Sequence, residues 1–160
     1  MNINKFTQKS LEAVQNCEKL AYEYGNQQIG QEHLLYSLLT VEDSLILKLI
    51  TKMNVQKEQF INETAQAIEK LPKVSGGQLY ISNDLNKVLI SAEDEAKAMG
   101  DEYVSVEHLF LAMLKQPSRM VKELFRSYAV TRENFLQALS TVRGNQRVVS
   151  DNPRSEEHNV

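Results

Sequence analysis

The sequence predicts an all-α fold made of two copies of one four-helix unit, about eight helices in a pseudo-twofold arrangement. Three observations lead there. The string Ile29-Gly30-Gln31-Glu32-His33-Leu34-Leu35 returns as Val104-Ser105-Val106-Glu107-His108-Leu109-Phe110, Glu107 following Glu32 by 75 residues. At that single offset residues 6–68 slide onto 81–143 without an insertion, aligning Glu18/Glu93, Ala21/Ala96, Gly25/Gly100, His33/His108, Leu49/Leu124 and Phe60/Phe135 as identities. Within each copy, apolar residues recur three or four positions apart, the spacing of one helix face. The unit is longer than a solenoid repeat, so two copies form one domain rather than an open array.

The first helix follows Thr7, whose hydroxyl suits an N-cap, and carries Leu11, Val14, Cys17, Ala21 and Tyr24 on one face. Gly25 stops it, because glycine adopts the positive φ of a helix C-terminus at no steric cost. Copy two repeats the plan with Ser82 as cap, Leu85, Val88, Leu89, Ala92, Ala96 and Met99 as stripe, and Gly100 as stop. The second helix starts near Gln31 or Ser105 and is apolar over a wide face through Leu34, Leu35, Leu38 and Leu39, or Leu109, Phe110, Met113 and Leu114. A third begins near Asp43 or Ser118, and a fourth near Val55 or Val130. Residues 69–80, with Pro72, Gly76 and Gly77, read as an exposed linker, and residues 144–160 as a polar, flexible tail.

Composition narrows the function classes. Hydrophobic residues make up 42% and charged residues 24%, ordinary for a globular chain, and no apolar run approaches the roughly 20 residues that span a bilayer. The first ten residues lack a secretory apolar core and Cys17 is the single cysteine, so a cytoplasmic location is expected. With net charge −3 and no gathering of Lys and Arg, nucleic acid is not an expected partner, nor is a membrane. No Gly-x-x-x-x-Gly-Lys string is present to cradle a phosphate, and Gly76-Gly77 lacks the following Lys. His33 and His108 each lack a second ligand at metal spacing, so a structural role near a helix start is expected and no cofactor or metal. Cys17 lies on an apolar stripe with no base in view, and Glu93, Asp94 and Glu95 read as a solvated helix face.

Two candidate surfaces follow. Each copy puts a hydroxyl at a helix start, Thr7 or Ser82, and a carboxylate in the first turn of its second helix, Glu32 or Glu107. Capping and the helix dipole account for each residue alone. Together they also make two equivalent pockets, in which an acid holds a guanidinium and a helix N-terminus holds an anion. The other surface is an apolar groove expected at the junction of the copies, flanked by Leu11, Tyr80, Ile81, Leu85 and Val88.

The residues also carry a family resemblance. Phe6-Thr7-Gln8-Lys9-Ser10, the two Glu-His-Leu segments, the string from Asp101 to Leu109, and Val142-Arg143-Gly144-Asn145-Gln146-Arg147-Val148 resemble the amino-terminal domain of the Clp ATPases, over about residues 1–149. The last string is most similar to the ClpB branch of protein disaggregases. The resemblance implies a non-enzymatic, substrate- and adaptor-binding module (residues 1–143) on a hexameric ring, the tail leading toward an ATPase module absent from this chain. It implies non-covalent capture of unfolded or aggregated protein segments, with the isolated fragment a monomer. In the ClpB branch, positions matching Thr7, Ser82, Asp101 and Glu107 are implicated in substrate handling. In the ClpC branch, those matching Thr7, Glu32, Ser82 and Glu107 resemble residues that recognise phosphoarginine, so a ClpC- or ClpA-like domain, or a stand-alone relative, is the alternative. Two rivals stay open: a small helical enzyme with Glu32 and Glu107 as paired acids, and a purely architectural stabiliser of the ring.

Overall fold

A computed structural model describes residues 3–144 and 147–151. Among these residues it holds eight α-helices, four per copy, in the order expected. Copy one contains α1 (Gln8–Glu23), α2 (Gln31–Thr40), α3 (Leu45–Lys52) and α4 (Lys57–Glu69); copy two contains α5 (Asn83–Ala98), α6 (Val106–Lys115), α7 (Arg119–Ser127) and α8 (Arg132–Arg143). Short strands β1 (Gln28–Ile29) and β2 (Tyr80–Ile81) precede α2 and α5.

The helix boundaries follow from local chemistry that recurs. Thr7 Oγ1 accepts the Ser10 N–H at 3.2 Å and Ser82 Oγ the Leu85 N–H at 3.0 Å, so both expected caps form. At the far ends Gly25 and Gly100 have φ of +74° and +73°. There the Gly25 N–H bonds the Tyr22 carbonyl and the Asn26 N–H bonds that of Ala21, a pairing repeated by Gly100 with Lys97 and Asp101 with Ala96. The ends of α3 and α7 use the same closure at Asn54 and Ala129, although Ala129 must hold φ +54° without glycine's freedom.

The copies interlock through reciprocal backbone pairs. Ile29 of β1 faces Ile81 of β2 in a parallel pair, and the matching residues Val104 and Phe6 form the mirror bridge. Ser82 N–H accordingly donates to the Ile29 carbonyl, and Thr7 N–H to that of Val104, each at 2.9 Å. Each copy's first helix is therefore anchored beside the other copy's second helix. The core runs continuously through both halves, centred on the fully buried Leu34, Leu38, Ile46, Phe60, Phe110 and Phe135. Phe110 stacks tilted on Phe135 with ring centres 4.6 Å apart, and Phe60 meets Tyr128 edge-on at 4.9 Å.

The connector 71–79 is exposed apart from the half-buried Leu71 and Leu79, and it is tied down: Val74 N–H donates to the Gly25 carbonyl, and Asn26 Nδ2 to that of Pro72. Past Gly144 the structure departs from the expected free tail. Val148 is buried, its carbonyl accepts the Glu102 N–H at 2.8 Å, and the Asp151 carbonyl accepts the Gln8 N–H at 2.7 Å. One apolar side chain and a helix N-terminus needing acceptors are enough to dock 147–151. The rest of the tail, residues 145–146 and 152–160, His158 included, lies outside the described residues. Among the described residues no helix is long and apolar enough to cross a membrane.

Candidate functional site

Because the first helix of each copy is anchored beside the other copy's second helix, Ser82 is brought to the Glu32 side and Thr7 to the start of the segment that carries Glu107. Ser82 lies across from Glu32 in a cleft of about 250 Å³, whose walls include Gly30, Gln31, Tyr80, Asp84, Pro72 and Ser118. Thr7 correspondingly lies beside Val104 at the start of the α6 region that carries Glu107.

Glu32 is the centre of the open cleft. It is only 7% exposed, and no cationic side chain pairs with it among the described residues. Burial pushes its carboxyl above the ordinary glutamate range; its own backbone N–H partly offsets this, and the negative charge of Asp84 adds to the rise. The side chain turns back over Gly30, where an added Cβ would stand 2.8 Å from Oε1. Ser118 Oγ, on the same cleft, is buried and has no hydrogen-bond partner among the described residues. Tyr80, 53% exposed, lines the cleft, and its strand neighbour Ile81 is 43% exposed.

Gln31 holds the cleft's two halves together. Its Nε2 donates to the carbonyls of Asp84 at 3.1 Å and Gln116 at 2.9 Å, and its Oε1 accepts the Ser118 N–H at 2.8 Å. The residue is 1% exposed, so this amide is a fully engaged cross-copy clamp. At the matching place copy two has Val106. Gln31, Asp84 and Ser118 were not among the site candidates from sequence; the signal for Gln31 is an amide where the other copy has an aliphatic residue.

Behind each acid sits a histidine that fixes the start of the helix. His33 Nδ1 accepts the Gly30 N–H at 2.9 Å, and its Nε2 lies 2.9 Å from Asn26 Oδ1, which requires a neutral ring protonated on Nε2. Burial lowers its pKa to about 4. His108 Nδ1 accepts the Ser105 N–H at 2.8 Å, and Nε2 is 2.6 Å from Asp101 Oδ2. Both histidines are thus structural, as expected. Cys17 is buried on its stripe, and burial pushes its thiol up to about 12.

The second pocket is closed. Glu107 has no exposed surface; its Oε1 accepts the Ser105 hydroxyl, and Oε2 is 3.6 Å from Arg143 Nη1. The Arg143 guanidinium also contacts Asp101 Oδ1, which accepts the Val148 N–H at 2.8 Å as well. Burial alone would raise the Asp101 pKa, but hydrogen bonds from His108, Arg143 and the Val148 amide, with the Arg143 charge, hold it well below the carboxylate range. Thr7 is buried too, donating from Oγ1 to Ser10 Oγ at 3.0 Å. The two pockets are therefore not equivalent, and Glu107 does not line the Glu32 cleft.

The groove expectation divides. Tyr80 and Ile81 are exposed and Leu11 is half-buried, but Leu85 and Val88 sit in the core and do not line an open surface. Their helical spacing marks the inward face of α5, and that face is filled by its own core neighbours. Among the described residues no group of three His, Cys, Asp or Glu side chains is placed to hold a metal ion.

Comparison with known proteins agrees with this architecture. Residues 5–128 match the family described as Clp repeat (R) N-terminal domain. Among curated relatives, the chain is 39% identical over 159 residues to the chaperone protein ClpB of Nitratidesulfovibrio vulgaris and 38% identical over 160 residues to that of Bacillus anthracis. These alignments cover 96% and 97% of the chain but 18% of each relative, so the chain spans under a fifth of their length. In fold it is similar to the Hsp104 N-terminal domain of Candida albicans, with TM-score 0.81 at 21% identity over 92% of this chain and 97% of that one. It is also similar to a ClpV N-domain in complex with a VipB peptide, with TM-score 0.71 at 20% identity over 90% of each chain. The chain belongs to the Clp repeat N-terminal domain family.

Proposed function

We propose that this chain is the substrate- and adaptor-engaging amino-terminal module of a ClpB-like, ATP-dependent protein disaggregase, that it captures unfolded or aggregated polypeptide non-covalently, and that it performs no bond chemistry. The observation that carries the reading is Glu32: a nearly buried carboxylate without a cationic partner among the described residues, in an open cleft with the exposed Tyr80 on its rim. A carboxylate desolvated in that way gains most from a basic side chain brought by a ligand, while apolar neighbours of that side chain rest on the rim. Unfolded segments offer this combination in many sequences, which suits weak and broad capture. The complex of a ClpV N-domain with a VipB peptide supports peptide docking as a use of this fold. In the full-length protein the domain rides on a hexameric ATPase ring in the cytoplasm, and the fragment alone is a monomer.

A labelled, unstructured peptide containing arginine and leucine tests this by fluorescence anisotropy. Glu32→Gln should weaken its binding about 10–100-fold, the worth of one hydrogen bond to a charged group. Unchanged affinity with an intact circular dichroism spectrum rejects the site.

A second reading is favoured by one observation. The cleft's lining includes Ser82 and Asp84 at the start of α5, so a helix N-terminus stands beside the Glu32 carboxylate. Phosphoarginine unites a guanidinium with a phosphoryl group and fits both, as in a ClpC- or ClpA-like domain or a stand-alone relative. Tighter binding of phosphoarginine than of arginine selects this reading, and equal binding removes it.

A further inference from the structure

The loop between α6 and α7 divides two clefts of opposite charge. On one side the Gln116 carbonyl and the Ser118 N–H meet the Gln31 clamp, and Ser118 lines the Glu32 cleft. Among the described residues that cleft is lined by two carboxylates, Glu32 and Asp84, and by no Lys or Arg. On the other side Gln116 and Pro117 form a wall of a second open cleft, of about 660 Å³, completed by α7, the turn after it and the start of α8. Lys115, Lys122, Arg126 and Arg132 line it, and among the described residues no acid does. Glu123 and Glu133, the acids of α7 and α8, lie outside it.

The four cations divide by what already holds them. Arg132 is engaged: its Nη1 and Nη2 donate to Glu95 at 3.1 and 2.5 Å, and Nη1 also donates to the Leu111 carbonyl at 3.2 Å. That guanidinium is compensated and ties α8 to α5 and α6. Lys115, Lys122 and Arg126 are exposed and make no ion pair among the described residues. Lys122 and Arg126 stand one turn apart on α7, where like charges destabilise a helix.

The repeat shows that the fold does not require these charges. At the 75-residue offset the three positions are Thr40, Leu47 and Thr51, and copy one builds the same four helices with them. The floor between the charges is apolar: Leu114 is half-buried, and Phe125 and Val130 reach the cleft from the core. A basic rim over an apolar floor complements a segment in which Asp or Glu flank Leu or Phe. A nucleic acid would use the rim and leave the floor idle. In the sequence the cations are spread over residues 115–132, and the α7–α8 turn gathers them.

We infer that the cleft between α6, α7 and α8 is a docking surface for an acidic, apolar-containing segment of a partner protein, separate from the Glu32 cleft and opposite to it in charge preference. The inference rests on the proposed function only in taking the occupant to be a protein. Sharing one wall, the two clefts sort the charges of a bound polypeptide, basic side chains to Glu32 and acidic ones to α7.

The test titrates the 160-residue chain into a labelled peptide of about a dozen residues, Asp and Glu alternating with Leu and Phe, followed by anisotropy at about 50 mM salt. Saturable binding is expected, with amide shifts in the nitrogen-labelled chain centred on residues 114–117 and 122–132. Lys122→Glu with Arg126→Glu changes two exposed side chains, so the circular dichroism spectrum should hold while affinity falls at least about tenfold. No saturable binding, or binding unmoved by the double reversal in a folded protein, overturns the inference.

Two further ligands separate a docking surface from bare electrostatics. The same peptide with Ser for Leu and Phe, and a single-stranded oligonucleotide of equal charge, should each bind at least about tenfold more weakly. Equal binding of either overturns the inference, and the oligonucleotide result would assign the cleft to nucleic acid. Glu32→Gln should leave the acidic peptide's affinity within about twofold, because that carboxylate lies in the other cleft. A larger loss overturns the inference. Binding of the acidic peptide without binding of the arginine–leucine peptide supports this surface and contradicts the Glu32 site alone.

Discussion

The Asp101–Arg143 pair and its neutral counterpart Asn26–Ile68 make a double-mutant cycle whose outcome the repeat dictates. Asp101→Asn removes one carboxylate from the buried guanidinium and leaves that of Glu107, 3.6 Å away, as a counter-charge. Removing one partner of a buried pair costs about 3–5 kcal/mol, and the retained Glu107 puts this change near the lower figure, about 3 kcal/mol. Arg143→Ile strands the Asp101 carboxylate, which keeps the bonds to His108 and the Val148 N–H, again at about 3 kcal/mol. Independent effects would add to about 6 kcal/mol. The double variant instead recreates an arrangement this chain already packs, so its cost should be about 1–2 kcal/mol and the coupling about 4–5 kcal/mol. Urea titrations followed by circular dichroism at pH 7 measure all four corners; each single change should also lower the melting temperature by roughly 6–12 °C. A double variant that costs the sum of the singles would refute the pairing argument.

Other expectations follow from single residues. His33 has a folded pKa of about 4 against an ordinary 6.5, so the unfolded chain binds the proton first, and stability is complete above pH 6.5 and falls as pH drops toward 4. Between pH 7.5 and 5 this group should remove about 2 kcal/mol, and nitrogen NMR at pH 5.5 should show a neutral ring with the proton on Nε2; a charged ring there contradicts the assignment. Gln31→Leu strips partners from the Asp84 and Gln116 carbonyls and the Ser118 N–H and should cost about 2–4 kcal/mol by urea titration; a loss under about 0.5 kcal/mol would show that the clamp does not join the copies. Ala129→Gly relieves a left-handed backbone and should stabilise by about 0.5–1 kcal/mol, whereas Gly100→Ala forces one, brings a Cβ within 3.1 Å of Arg147 Nε, and should cost about 1–2 kcal/mol in the same assay.

What was legible in the sequence was what is local and said twice. Thr7 and Ser82 cap, Gly25 and Gly100 stop, and the apolar spacing counts four helices per copy, because each signal acts within one turn of the chain. The crossing of the copies was not legible. It depends on β1 and β2, two residues each, too short to leave a pattern, and it pairs Ser82 with the Glu32 of the opposite copy. Leu85 and Val88 were placed in a groove by a periodicity that equally marks core, and packing put them in the core. The closure of the second pocket left a trace that the search for identities passes over. Asp101 and Arg143 are exceptions to the repeat, and two complementary charges standing opposite Asn26 and Ile68 are the sequence form of a buried pair.

The central claim is that one of two repeated pockets, the Glu32 cleft, is open to a peptide. Titrating the unstructured arginine–leucine peptide into the nitrogen-labelled chain tests it directly. The account predicts that amide shifts cluster at residues 28–32 and 82–85, with Tyr80, and saturate at one equivalent. Shifts centred on Thr7, Asp101 and Glu107 with the Glu32 cleft undisturbed would contradict it.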